Sequence, residues 1–71
     1  MQFIEQALLR AGIITPGGYI DDAALTRAAC VYNRDGVVTH RVHYACNGVD
    51  VVATNVRTGR DELRISLPLA A

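Results

Sequence analysis

The fold is decided by residues 40–55, which read HRVHYACNGVDVVATN. Two runs in which core-facing and solvent-facing residue types alternate flank Asn47-Gly48. Asn-Gly is the dipeptide that most strongly indicates a two-residue β-hairpin loop. This loop pairs Cys46 with Val49, and the ladder continues from there to both ends of the quoted stretch. Because side chains alternate between the two faces of a strand, this register sends one parity of residues to the core and the other to solvent.

A turn signal on each side of this hairpin predicts one more strand. Residues 34–36 and 57–59 both end in glycine and fit three-residue loops with the glycine at a bulge position. The first loop pairs Cys30 with His40, and the second places Leu63 opposite the second strand of the hairpin. All three turns predict the same set of inward-facing residues, and such agreement between independent local signals is typical of a sequence that specifies one fold. The predicted inward face comprises Cys30, Tyr32, Val38, Val42, Tyr44, Cys46, Val49, Val51, Ala53, Leu63, Ile65 and Leu67.

The N-terminal third of the chain predicts two helices. Apolar residues at helical spacing over about residues 2–11 predict the first, and Gly12 is the residue type that a left-handed helix end prefers. Asp21, before a segment rich in alanine, predicts a second helix over about residues 22–28. An alternative extends this helix to Tyr32 and leaves a sheet of three strands.

These elements predict an α+β fold, in which an N-terminal helix and a short second helix pack on one face of a three- to four-stranded antiparallel β-meander. The 71 residues, 51% hydrophobic and 20% charged, fit one small domain over residues 1–71 and leave no room for a dinucleotide-binding unit or a closed barrel. A core this thin gains stability by association, and the outermost strands of the sheet leave an unpaired edge. We therefore expect a homodimer.

The charge balance argues against a strong nucleic-acid binder, and the cysteine content indicates a reducing compartment. Seven arginines, with no lysine, balance seven acidic residues, so the chain lacks the basic excess of a strong nucleic-acid binder. Cys30 and Cys46 predict two buried thiols in a reducing cytoplasm, because a regular strand would separate them by about 20 Å, too far for a disulfide. Neither a signal peptide nor an apolar run of membrane-spanning length is visible, so we expect a complete cytoplasmic protein without membrane contact.

The histidines are the first candidates for chemistry. His40 and His43 point to opposite faces of a strand, so they cannot share a metal ion. His40, Cys30 and Asn55 could form a small Cys-His-Asn constellation, in which the imidazole would activate the thiol. A buried histidine and asparagine that satisfy each other explain the same residues more simply. We therefore predict no enzymatic activity, no cofactor and no metal.

The outward face of the sheet is the predicted functional surface. It comprises Val31, Thr39, Arg41, His43, Ala45, Asp50, Val52, Thr54, Val56, Glu62, Arg64 and Ser66. One helical layer covers only one side of a sheet, so this mixture of arginine, threonine and β-branched residues faces either water or a partner. We predict a small non-enzymatic protein-binding module that occludes a larger partner, in the manner of bacterial and phage accessory or inhibitor proteins. Its predicted contact residues are Arg27, Arg41, His43, Val52, Thr54 and Arg64.

The alternative function is that of a small nucleic-acid-binding regulator. Its contact residues would be Arg27, Arg41, His43 and Arg64. The predicted face leans basic, because most acidic residues fall at helix caps and turns. The register nevertheless disfavours RNA binding, because it points the tyrosines at positions 32 and 44 inward and leaves the outward face without aromatic residues for base stacking.

Overall fold

A computed structural model describes residues 3–70 of the chain. Its helices and strands are, in chain order, α1 (Phe3–Arg10), α2 (Asp22–Arg27), β1 (Cys30–Tyr32), β2 (Val38–Tyr44), β3 (Val51–Asn55) and β4 (Asp61–Ile65). The strands form one antiparallel sheet in the order β1-β2-β3-β4, so the predicted α+β fold is confirmed with four strands. The predicted start of the first helix, at residue 2, lies outside the described residues. Over residues 3–70, neither helix has the length and apolar character that spanning a bilayer requires.

Helix α1 ends at the glycine that the sequence predicts. Gly12 has a φ of 79°, in the left-handed region that costs glycine little. The N–H of Ile13 donates to the carbonyl oxygen of Leu8 at 3.0 Å, and the N–H of Gly12 donates to that of Leu9 at 3.1 Å. These two bonds form a Schellman motif, which satisfies the last carbonyl groups of the helix. The motif turns the chain so that Ile13 enters the core, where it is fully buried.

Helix α2 is short and capped at its first turn. The side chain of Asp21 accepts a hydrogen bond from the N–H of Ala24 at 3.1 Å, as expected of an N-cap aspartate. The helix ends at Arg27, and Ala28 is its C-cap in a non-helical conformation. The alternative continuation of the helix to Tyr32 is wrong, because those residues pair with β2 as strand β1.

Both helices pack on one face of the sheet, which we call the inner face; the opposite side is the outer face. The buried cluster between the layers consists of Ile4, Leu8, Ile13, Ile20, Ala24, Leu25, Val31, Val42, Val51 and Ala53. The C-terminal segment is fastened to this layer by backbone bonds. The N–H of Ile20 donates to the carbonyl oxygen of Pro68, and the N–H of Ala70 donates to that of Ile20, both at 2.8 Å.

The central hairpin has the predicted register but a longer loop. Val42 lies opposite Ala53, as predicted. The ladder ends at Ala45, whose N–H donates to the carbonyl oxygen of Asp50 at 2.8 Å, so the predicted two-residue loop is wrong. That loop needs a positive φ at both central residues, and within residues 3–70 only glycines have one. The side-chain oxygen of Asn47 instead accepts from the N–H of Asp50 at 3.1 Å and stabilises the longer loop.

A β-bulge at Thr39 of β2 reverses part of the predicted inward face. Tyr32 lies opposite Val38 as predicted, but Val31 rather than Cys30 lies opposite His40. One extra residue exchanges the two faces of the strand beyond it. Val31 is therefore buried in the core, whereas Tyr32 is 55% exposed. The predicted inward positions of Cys30 and Tyr32, and the predicted outward position of Val31, are wrong.

A second bulge lies in β4. Leu63 lies opposite Ala53 as predicted, but Asp61 lies opposite Thr54, which leaves Glu62 as the extra residue. The loop before β4 is a residue longer than predicted, and the bulge compensates for the difference. The predicted register of the far half of β4 is therefore confirmed, although the loop that was expected to set it has a different length.

The two cysteines are more exposed than predicted. Cys46 lies exposed in the loop after β2, beside the exposed Val49, because neither belongs to the ladder. Cys30 is half-buried in β1. Both thiols are free, as the predicted separation required, but the expectation that both would be buried is wrong.

Candidate functional site

The outer face brings together all the predicted contact residues of the sheet. One cross-strand row runs from Cys30 through Arg41 and Thr54 to Asp61, and the next runs from His43 through Val52 to Arg64. Arg27 is not part of this surface. It is the last residue of α2, and the buried residues of that helix pack on the inner face. The predicted contact surface is therefore confined to the sheet.

Val52 is buried on the outer face although no helix covers it. Its side chain is only 2% exposed. It lies at the base of a shallow depression of about 490 Å³, which is also lined by His43, Asp61 and Arg64. Long polar side chains cover apolar surface with their stems while their polar ends stay in water. The expectation that Val52 is exposed is therefore wrong, and the accessible surface above it belongs to the polar residues around it.

Arg64 is held in place by Asp50. Its Nε and Nη2 atoms lie 2.8 and 2.7 Å from Oδ2 of Asp50. Asn47 donates to the same oxygen from Nδ2 at 3.1 Å. Hydrogen bonds from Asn47, Arg64 and Ser66 keep the pKa of Asp50 below its ordinary value. The guanidinium is thus oriented before any partner arrives, which reduces the entropy lost on binding.

His43, Thr54 and Asp61 form a hydrogen-bonded chain across three strands. Nε2 of His43 lies 2.8 Å from Oγ1 of Thr54, and the Thr54 hydroxyl donates to Oδ1 of Asp61 at 2.8 Å. Nδ1 of His43 lies 3.0 Å from the carbonyl oxygen of Tyr44. Because carboxylate oxygens only accept and the hydroxyl has one proton to give, Thr54 links the imidazole of His43 to the carboxylate of Asp61.

Arg41 is the free cation of the outer face. Within residues 3–70, no carboxylate lies within ion-pair distance of its guanidinium, and the side chain is exposed. Its cross-strand neighbours, Cys30 and Thr54, do not neutralise it. A free guanidinium offers a planar fork of donors that matches a carboxylate on another molecule.

The charge of the outer face is balanced, whereas the sequence predicts a basic face. Asp50 and Asp61 both lie among the arginines and bond to residues of the face. Asp50 has the predicted outward parity, so the predicted register could have shown its proximity to Arg64. Asp61 could not be recognised in this way, because only the bulge in β4 places it opposite Thr54.

His40 is held at the far end of the sheet by Glu62, a contact that the sequence does not predict. Its buried ring lies with Nε2 2.5 Å from Oε1 of Glu62 and with Nδ1 2.9 Å from Oγ1 of Thr39. Nδ2 of Asn55 donates to the other carboxylate oxygen of Glu62 at 3.3 Å. The Cys-His-Asn constellation does not form, because the bulge at Thr39 of β2 places Val31 rather than Cys30 opposite His40. The predicted outward position of Glu62 is also wrong, because the bulge in β4 turns its side chain towards His40.

This contact predicts a pH-dependent contribution to stability. The hydrogen bond from His40 is the main cause that lowers the pKa of Glu62 below its usual 4.5. A carboxyl group with a lowered folded-state pKa stabilises the fold above its unfolded-state pKa, and this contribution is lost as the pH falls through the folded-state value. The free energy of unfolding of Glu62→Gln should therefore decline less steeply in acid than that of the native protein.

The measurement is denaturant unfolding at a series of pH values from about 7 to about 3. Asp50→Asn is the matched comparison, because the pKa of Asp50 is also lowered and its removal should flatten the profile independently. Equal slopes for Glu62→Gln and the native protein would contradict the assigned role of the Glu62 carboxylate.

Within residues 3–70, no three histidine, cysteine, aspartate or glutamate side chains gather closely enough to hold a metal ion. No family model, curated protein or solved structure matches this chain. The chemistry of the outer face is therefore the basis for assigning a function.

Proposed function

We propose that this chain is a non-enzymatic protein-binding module and that its outer face is the binding surface. The observation that carries the proposal is the oriented set of polar side chains on the side of the sheet that no helix covers. Arg64 is fixed by Asp50, and His43 is fixed through Thr54 to Asp61, while Arg41, opposite Thr54, has no ion-pair partner among the described residues. Such pre-ordered groups lose little freedom on binding and present a specific pattern of charge to a partner.

The balance of charge favours a protein partner over nucleic acid. Binding to a phosphate backbone needs a local excess of cations, and here two aspartates offset two arginines. The structure exposes Tyr32, contrary to the prediction, but the rows that hold Arg41 and Arg64 contain no tyrosine, phenylalanine or tryptophan on which successive bases could stack. We propose a partner surface with a carboxylate for Arg41 and further polar groups for the fixed residues around it.

We further propose that the module occludes a larger partner, as accessory and inhibitor proteins do, and that it acts as a homodimer in the cytoplasm. Its two free thiols suit a reducing compartment. Zero formal net charge offers little electrostatic repulsion between copies.

The test is capture of the partner from an extract of the source cells on immobilised protein, followed by a binding measurement with the purified partner. Arg41→Glu/Arg64→Glu should weaken binding by at least about tenfold, because it reverses both cations of the face. Arg34→Glu/Arg57→Glu is the control, because it changes the net charge equally at two exposed turn residues. The control should retain binding.

Equal binding by the native protein and Arg41→Glu/Arg64→Glu would overturn the assignment of the outer face. Equal loss of binding in both double variants, together with capture of DNA or RNA at low salt, would instead point to a general electrostatic interaction with nucleic acid. Circular dichroism of each variant shows whether the fold is intact.

A further inference from the structure

The edge of β4 leaves a short length of backbone unpaired. The backbone of Val56 bonds to Thr39 of β2, and in an antiparallel strand alternate residues bond to opposite neighbours. The backbone groups of Ala53 and Val51 therefore bond to β4. Leu63 and Ile65 are their partners. The N–H and C=O groups of Arg64 and Ser66 therefore point away from the sheet. The bulge at Glu62 disrupts the first part of this edge, but residues 64–66 have no such protection.

An apolar groove runs along this open backbone. It has a volume of about 500 Å³ and lies between β4 and the helical layer, with Leu9 and Ile14 on its helical wall. Leu63, Ile65 and Leu67 are only partly buried against the core and reach the groove from the sheet. A strand that paired with residues 64–66 would place alternate side chains against this wall and the others on the outer face.

We propose that the strand that occupies this groove is β4 of a second copy of the chain, in an antiparallel pair centred on Ile65. This inference rests on the proposed homodimer and names its interface. In this register Arg64 exchanges backbone bonds with Ser66 of the second copy, and the reverse pair forms on the other side of the two-fold axis. Leu63 meets Leu67 of the second copy on the inner face, and the two Ile65 residues meet at the axis.

Charge complementarity on the outer face supports a second copy as the occupant. Within one chain, Asp50 accepts a hydrogen bond from Arg64, and Ser66 is close enough to the same carboxylate to help lower its pKa. The proposed register places each Arg64 beside Ser66 of the other copy, and therefore beside the other copy's Asp50. Two arginines and two aspartates then alternate around the axis with opposite charges adjacent.

The exposed area of the chain is also larger than a compact monomer needs. It is 4780 Å², whereas the scaling of accessible surface with mass gives roughly 4,300 Å² for a monomer of 7.7 kDa. The excess, about a tenth of the total, matches a small interface of the kind that weak dimers use. The dimer would join two sheets edge to edge, with both helical layers on the same side and both outer faces in one continuous surface.

The first test compares two substitutions at Ser66 by light scattering at micromolar to submillimolar concentration. Ser66→Pro removes the outward N–H without touching the ladder to β3, and the extended conformation of Ile65 suits a residue before proline. Ser66→Ala is the matched control, because it removes the hydroxyl and keeps the N–H. We expect a dimeric mass for the native protein and for Ser66→Ala, and a monomeric mass for Ser66→Pro with an unchanged circular dichroism spectrum.

The second test does not depend on the tolerance of the edge for proline. In a chain with Cys30→Ser and Cys46→Ser, Ile65→Cys places one thiol from each copy at a non-hydrogen-bonded pair, where Cα atoms are about 4.5 Å apart and a disulfide can form. Oxidation should yield a covalent dimer, and Val49→Cys in the same background should not.

A monomeric native protein, a dimeric Ser66→Pro variant or the failure of the Ile65→Cys variant to form a covalent dimer would each overturn this interface. None of these results would affect binding through Arg41, which lies outside the proposed interface and whose reversal alone, Arg41→Glu, reports that binding separately. A monomeric native protein would leave the β4 edge open to an extended segment of another protein.

Discussion

Leu8→Ala should lower the free energy of unfolding by about 3–5 kcal/mol, the range for removal of a fully buried leucine side chain. Leu8 is 1% exposed and lies in the cluster that joins α1 to the sheet. The substitution keeps the backbone bond in which the carbonyl oxygen of Leu8 accepts from Ile13, so the loss comes from packing alone. A domain of this size has a total stability of roughly 4–10 kcal/mol, so the substitution should remove a large share of it.

The neighbouring leucine supplies the control for this experiment. Leu9 is 36% exposed on the same helix, so Leu9→Ala should cost less than about 1 kcal/mol. Denaturant unfolding followed by circular dichroism measures both. Similar losses for the two variants would show that α1 does not pack on the sheet through the face that holds Leu8.

Val52→Asp should have an effect of similar size on the opposite side of the sheet, about 3–5 kcal/mol, because it places an unpaired charge at a buried position. Val52 is 2% exposed, and Asp50 and Asp61 already lie on the same face. The new carboxylate would therefore meet both desolvation and repulsion. The observable result is a large decrease in the denaturant midpoint.

Val49→Asp is the matched control for that prediction. Val49 is 59% exposed in the loop after β2, so the same change in chemistry should alter stability by only about 0.5 kcal/mol. If Val52→Asp were as stable as Val49→Asp, the polar side chains of the outer face would not cover Val52.

The outer face was only partly predictable from the sequence. Alternation along β2 and β3 places Arg41, His43, Val52 and Thr54 on one side, and this is a local property of two strands and a hairpin. The burial of Val52 is not local. It follows from Arg64, His43 and Asp61 closing over it, and the position of Asp61 depends on a bulge in another strand.

The helices were more predictable than the residues that touch across the sheet. Asp21 and Gly12 act within a few residues of themselves, so their roles as caps could be recognised from type and spacing. The contact between Glu62 and His40 joins residues 22 positions apart in the chain, and it exists because a bulge reverses Glu62. A reading based on strict alternation necessarily assigns Glu62 to the wrong side.

The sequence by itself determined the order of the elements, the antiparallel meander and the register of the central hairpin, because turn chemistry, capping and side-chain alternation are short-range properties. Only the tertiary structure decided where β2 and β4 bulge, which charges meet on the outer face and which part of the β4 edge stays open. Those features depend on how strands of different length fit against one core, and a shift of a single residue exchanges the two faces of a strand. The partner-facing chemistry of this protein is therefore a product of the bulges as much as of the residues themselves.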